Sequence, residues 1–404
     1  GSLATRVNES GLIEPVGTLG ADVVLNGDFE QLGADQVLNG DFSQEGSEEI
    51  TNGDFATNTD WNNNAATINI SNGKLNFINA VANTEFSNQV ITGLSIGAQC
   101  KITLEVSNLS SGDSLKVRYP FQEVISSNGT HTFYGEADAG AVRITASSAT
   151  ATFSIDNVSV VEVGQDWATS SGVGIGSSSV VFSSAASVKS VRQPIAATTA
   201  GKIFKVEYEI LSLSQGAFNV IMNGVINQGT NASTIGIHTD YIVAPALTTT
   251  TFGIHSLGTT TGSISNITVE EVGQEWVLTD GVSITAQGAR ITSDGTNQSI
   301  QQLNKLVIGD AYEIEYEITE SVSGTLSVTA SFGTGFILKN TVGVHKFYAV
   351  ATNAALTIKR LSTCDITIDN IIIKRLNGDD TPRIDYTDGG CPVLLTEPQS
   401  TNLI

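Results

Sequence analysis

Asn26-Gly-Asp-Phe29, Asn39-Gly-Asp-Phe42 and Asn52-Gly-Asp-Phe55 are three copies of one phrase, starting 13 residues apart (26, 39, 52). Only the third copy runs straight into a body of sequence. Two further bodies follow it, beginning at Gly164 and Gly273, and neither has an opening phrase of its own. Three openings stacked ahead of three bodies predict one fold interrupted by copies of itself.

The bodies are matched by five landmarks in constant order, the signature of an internal repeat. Trp61, Trp167 and Trp276 come first, then Gln89, Gln193 and Gln302. Next is a glycine (Gly97, Gly201, Gly309) ahead of an alternating run such as Val206-Glu-Tyr-Glu-Ile210. Gly-x-His follows, ending at His131, His238 and His345, successive copies 107 residues apart, with Tyr134, Tyr241 and Tyr348 three residues on. Each body closes on Ile155-Asp-Asn-Val158, Ile264-Ser-Asn-Ile267 or Ile368-Asp-Asn-Ile371.

Period-two alternation puts Val206, Tyr208 and Ile210 on one face and Glu207 and Glu209 on the other, as a half-buried strand requires. Each body reads as about eight short strands, and Thr, Val, Ile and Ser dominate them. The expected fold class is all-β: three tandem or nested jelly-roll sandwiches, with a small β-rich segment formed by the two chain ends.

A sandwich without its first strand leaves backbone groups and core side chains exposed. Nesting supplies the missing piece and keeps connections uncrossed. Jelly roll I is expected over 50–163. A strand at 36–43 is expected to complete jelly roll II with 164–272, and one within 21–31 to complete jelly roll III with 273–376. Residues 1–20 and 377–404 are left as the terminal segment.

The opening Asn-Gly-Asp-Phe and closing Ile-Asp-Asn-Val resemble carbohydrate-binding-module jelly rolls of the family 4/9 type, which also recur in virion proteins of tailed bacteriophages. The end phrases Ala4-Thr-Arg-Val-Asn-Glu-Ser-Gly-Leu-Ile-Glu14, Thr381-Pro-Arg-Ile-Asp-Tyr-Thr387 and Leu394-Leu-Thr-Glu-Pro-Gln-Ser-Thr-Asn-Leu403 are similar to phrases of phage tail and structural proteins. The resemblance implies a non-enzymatic structural virion protein (a tail fibre, appendage or decoration) assembled in the host cytoplasm. It implies other virion proteins as partners, a homo-oligomer, and host-surface glycan as an alternative ligand. An accessory carbohydrate-binding region of a secreted bacterial protein is a further alternative.

In the resembling modules a structural Ca²⁺ is held by an acidic residue after the opening Phe and by the Asp of the closing motif. Under nesting, jelly roll III pairs Glu30 with Asp369, jelly roll II pairs Ser43 with Ser265, and jelly roll I pairs Ala56 with Asp156. Only Glu30 and Asp369 supply both carboxylates, so they are the metal candidates.

Forty-one acidic against 19 basic residues give a net charge of −22. A field of that sign repels phosphate backbones, so nucleic acid is not an expected partner. No apolar run is long enough for membrane insertion. Gly1-Ser-Leu3 opens without a basic-then-apolar export pattern. Cys100, Cys364 and Cys391 are odd in number and widely spaced, which predicts small buried residues for Cys100 and Cys364. The three repeated His lack metal-ligand spacing, and strand-edge structural roles are expected for them. Aromatics make up 6% of the chain and fall at repeat positions, which predicts core packing for the tryptophans. No catalytic constellation is present, so no enzyme is expected.

Overall fold

A computed structural model describes residues 5–7, 13–15, 17–196, 201–246, 249–334, 336–377, 383–385 and 393–395. The fold is all-β, built of antiparallel sheets, with a single helix turn at Thr329–Phe332 among the described residues. Three hydrophobic cores lie between these sheets. We call the parts around them modules I, II and III, in the order of their bodies.

Module I is the simplest. A five-stranded sheet runs Glu123–Ile125, Leu115–Tyr119, Ala141–Ala146, Phe86–Val90, Asn62–Asn63. A second runs Gly129–Glu136, Gln99–Ser107, Thr150–Val163, Lys74–Val81, Ile68–Ser71. Alternate residues of both face inward: Val117, Val142 and Ile144 from the first meet Leu75, Phe77, Ile102, Leu104 and Phe153 from the second. Module II differs from the expected eight short strands. Ile203–Met222 and Thr251–Val272 each run on through the module. Register shifts between Ile210 and Ala217 let them bend, as bulges do. Gly216 sits there at φ +81, where an added Cβ would come within 2.3 Å of Thr260 Oγ1.

The three openings do not share one core. Val24 and Phe29 pack with Trp276 and Ile371, Val37 and Phe42 with Trp167 and Ile267, and Ile50 and Phe55 with Trp61 and Val158. Of the strand expected within 21–31 only Asp22 and the residue before it are in a strand, the end of Thr18–Asp22, and the strand expected at 36–43 is absent; 23–30 and 36–43 are turns and irregular chain. The phrase itself is a tight turn: Asn26, Asn39 and Asn52 have φ 49, 50 and 51, and each following Phe is also left-handed. A turn cannot extend a ladder, so pairing moves upstream. Thr18–Asp22 pairs with Cys364–Asn377, Asp35 bridges Glu270, and Glu45–Glu48 pairs with Thr150–Val163.

Each turn is fixed by the same four devices. One carboxylate oxygen accepts two backbone N–H groups: Asp22 from Val24 and Ile373, Asp35 from Val37 and Val269, Glu48 from Ile50 and Val160. A glutamine side chain then bonds both backbone groups of the residue before the Asn: Gln302 to Leu25, Gln193 to Leu38, Gln89 to Thr51. The glycine lies flat against the closing strand. A Cβ on Gly27, Gly40 or Gly53 would come within 2.1, 2.0 or 2.0 Å of the carbonyl oxygen of Ile371, Ile267 or Val158. Finally the Phe ring meets the Trp ring at 5.3, 5.1 and 5.2 Å between centroids, and the indole N–H donates to the carbonyl of Asn26, Asn39 or Asn52. Buried aromatic pairs of this kind are worth about 0.5–1.5 kcal/mol beyond area burial.

Modules meet through one repeated joint. The hairpin strand Val173–Gly176 of module II lies beside Gly129–Glu136 of module I, and Val282–Thr285 of module III beside Gly236–Val243 of module II. Tyr134 packs onto core II and Tyr241, its repeat equivalent, onto core III. At the first joint Ile175 N–H donates to Gln99 Oε1, and Gln99 Nε2 to Thr169 Oγ1. The strand Thr5–Val7 pairs with Ile13–Pro15, Arg383–Asp385 pairs with Val393–Leu395, and Thr5–Val7 lies beside Arg383–Asp385.

Candidate functional site

Two places have chemistry that the fold does not require. The first is the floor of module III beside its opening turn. Asp369 Oδ1 is buried and has no hydrogen-bond partner. Burial pushes the Asp369 carboxyl above its usual range, the Asn370 N–H opposes this, and the nearby carboxylates of Glu317, Asp28 and Glu30 push it further up. The sequence-predicted pair Glu30 and Asp369 thus falls in one electrostatic neighbourhood. Among the described residues, no group of three or more His, Cys, Asp or Glu side chains is placed to hold a metal ion.

Module II resolves the same position differently. Ser265 replaces Asp369, and its hydroxyl donates to Ser178 O at 2.8 Å, with Asp41 O at 3.4 Å. In module I, Asp156 accepts from Asn157 N–H. The neighbouring Asn is a shared device that the sequence reading missed. Asn157, Asn266 and Asn370 take left-handed φ of 50, 53 and 49 and donate to Glu105, Glu209 and Glu317. Alternation gave Glu209 only a place on the face opposite Val206, Tyr208 and Ile210; Glu105 and Glu317 match it in the other modules. Their partners lie more than 50 residues away, beyond the reach of strand periodicity.

The second place is the outer face of the five-stranded sheet of module I. The Arg143 guanidinium lies 4.1 Å from the Phe86 ring centroid and 5.2 Å from that of Tyr119, and Arg118 lies 5.8 Å from Tyr119. None of these residues is at a repeated landmark, so aligning the bodies could not flag them.

The remaining candidates are structural. Trp61, Trp167 and Trp276 are buried. His131 and His238 bond through Nε2 to the carbonyls of Ser127 and Thr234, 2.9 and 2.7 Å away, and His345 to that of Thr341. Each therefore pins the turn before an outer strand. Cys100 and Cys364 are buried, and burial, with Glu162 and Asp138 adding to it, raises the Cys100 thiol to about 12. Such a thiol is not a nucleophile at neutral pH. Cys391 lies outside the described residues. No helix among the described residues is long and apolar enough to cross a membrane.

No protein-family profile matches the chain, and no curated protein sequence is similar to it at a significant level. Among solved structures, it is similar to the N-terminal CBM22-1–CBM22-2 tandem domain of Paenibacillus barcinonensis Xyn10C (11% identity, TM-score 0.24, covering 56% of this chain and 98% of that one). It is also similar to a triple jelly-roll protein of turret assembly in an archaeal virus (10%, 0.22, 80% and 90%). A chain of Sulfolobus turreted icosahedral virus gives 10%, 0.20, 79% and 91%. At these scores the likeness carries no argument about ligand, assembly or the detail of the fold.

Proposed function

We propose that the chain is a non-enzymatic structural protein of a tailed-phage virion, in which stacked β-sandwich modules form a stiff arm that displays module I. One observation carries this reading. The chain enters and leaves each module side by side, at Thr18 and Asn377, Asp35 and Glu270, and Glu45 and Val163. Module I is therefore borne by module II, which is borne by module III, and both chain ends leave module III at one place. The repeated joint favours a stiff arm over beads on a string. Other virion proteins and further copies of this chain are its proposed partners. Particles labelled with antibody to module I and, separately, to module III are expected to show two distinct radii from the particle body. Coincident label would count against the arm, and no label on particles against the virion.

Adhesion to host-surface glycan is the second reading, favoured by the part-exposed rings of Phe86 and Tyr119. Sugar faces stack on such rings.

We also propose a structural calcium ion in module III. Its ligands are Asp369 and Glu30 with nearby main-chain oxygens, and it supplies the positive charge that the Ser265 hydroxyl proton supplies in part in module II. The unpartnered Asp369 oxygen supports this. Without the ion, the raised Asp369 carboxyl has a definite pH sign. Below the ordinary value of 3.8 it is protonated folded and unfolded, and its contribution to stability is fully present. As pH rises through the raised folded value, charge must be held in the pocket and that stability is lost. Asp369→Asn is therefore expected to melt above the parent protein in EDTA at neutral pH, with the gap closing under acid. Added calcium should reverse the order by stabilising only the parent. Melting curves indifferent to both EDTA and calcium would exclude the ion.

A further inference from the structure

The outer face of module I carries a row of side chains across the sheet. Register sets Tyr119 opposite Arg143, Arg143 opposite Asn88, and Asn88 opposite Asn62. In the next row Thr145 lies between Lys116 and Phe86. Phe86, Asn88, Tyr119, Arg143 and Lys116 are all part-exposed, and Arg118 is exposed. Arg143 is held between two rings, yet its Nε is buried without a hydrogen-bond partner.

The chain has 41 acidic residues for 19 basic ones, so a cation can readily find a partner. Lys101, Lys202, Lys205, Arg290, Lys346 and Arg375 each have a carboxylate within 3.2 Å. Arg118 and Arg143 have none among the described residues, a trait they share with other cations such as Lys189 and Arg360; what sets them apart is that they stand on one face around the same Tyr119 ring. Modules II and III lack this arrangement. Strand register puts Gly253 and Thr357 where module I has Arg143, and Ser190 and Ser299 where it has Phe86. In module II the face is also roofed: His255 is fully buried, and Asn227 N–H donates to its Nε2. Module II has Arg192 where module I has Asn88, and module III has Lys359 where it has Thr145, so among the described residues it is the arginine set beside two rings, not the basic charge, that marks module I.

We propose that this face binds an acidic glycan, a saccharide chain bearing uronate carboxylates, with Arg143 as the carboxylate ligand and Phe86 and Tyr119 as stacking surfaces. The inference rests on the adhesion reading and supplies its substrate class. A guanidinium fork matches a carboxylate in two parallel hydrogen bonds. Stacking on two rings fixes the plane of Arg143 before the ligand arrives. Asn88 and Asn62 continue the row as hydroxyl partners. The favoured ligand has carboxylates for Arg143 and apolar sugar faces for the rings; the −22 field opposes any polyanion, so an oligonucleotide serves as the control for general anion binding.

The test is calorimetric titration of the whole chain with an oligogalacturonate, its methyl ester, a neutral xylo-oligosaccharide and a single-stranded oligonucleotide. The acid is expected to bind, and the ester to bind at least about tenfold more weakly, as loss of a charge-assisted hydrogen bond implies. Arg143→Ala should weaken the acid by a similar factor while leaving the melting temperature near that of the parent. Arg143→Lys should restore only part of it, whereas a cation lost from mere bulk attraction would be fully replaced. Equal binding of acid and ester, both lost in Tyr119→Ala, would overturn the acidic class and leave adhesion standing. No binding of any saccharide would overturn the site without touching the arm, which particle labelling tests separately. Equal or tighter binding of the oligonucleotide would reduce the face to a general anion patch and overturn the proposal.

Discussion

Phe42→Ala is expected to unfold module II while leaving module I folded, although Phe42 lies beside module I in sequence and more than 100 residues ahead of the body of module II. The Phe42 ring is 2% exposed and packs on Trp167 within core II. Truncating a buried Phe to Ala typically costs about 3–5 kcal/mol, a large share of the stability of one domain. The loss should be local, because Phe42 contributes nothing to core I, which is filled by Phe55 against Trp61. Differential scanning calorimetry should show one transition moved down and another unmoved. Chymotrypsin should cut first within 164–272. Cutting first within 50–163 would mean that Phe42 belongs functionally to the nearer body. Phe55→Ala is the mirror experiment and should destabilise module I directly.

The second large effect is a benign deletion. Glu45 and Val163 face each other as antiparallel partners. Replacing residues 46–162 by the two-residue turn Asn-Gly would convert that pair into a hairpin, the connection this dipeptide favours. Modules II and III are expected to fold in the shortened protein with little change in their own transitions. The joint contacts of Gln99 and Tyr134 and the core II side chain of Val161 would be lost, and the edge strand Val173–Gly176 would lose its cover from module I. Far-ultraviolet circular dichroism and scanning calorimetry would check it, and a disordered product would show that modules II and III depend on module I for folding. Removing 36–43 instead, a deletion of eight residues, should do more damage than removing the whole of module I.

The all-β class was legible because alternation such as Val206-Glu-Tyr-Glu-Ile210 is a local property. The Trp, Gln and Gly landmarks were legible because repetition marks positions that the fold cannot vary. Their roles were less so. Gln193 was visible as a landmark, but not its double bond to Leu38, because a contact spanning 155 residues leaves no periodic trace. The expected strands at 23–30 and 36–43 were misread for a related reason. Val-Leu-Asn-Gly-Asp-Phe looks like a strand end, yet Gly27 and Gly40 must press against a carbonyl and the Asn and Phe residues must turn left-handed. Asp22, Asp35 and Glu48 escaped notice since one module uses Glu where two use Asp. The Phe86–Arg143–Tyr119 face has no counterpart in the other bodies, so repetition leaves it unmarked.

Synthesis runs from the N-terminal side, and the nesting reverses it. Module I has all its parts once Val163 emerges, module II after Val272, and module III only near Asn377, yet the Phe29 plug that module III needs was made before any of them. At roughly 5–20 residues per second, that ring waits on the order of tens of seconds for its Trp276 partner. During the wait Val24, Phe29, Val37 and Phe42 sit on a nascent tether with their docking sites unmade. Apolar residues made ahead of all three bodies are thus among the last to be sheltered, which makes this segment the stretch that holdase chaperones should grip during translation.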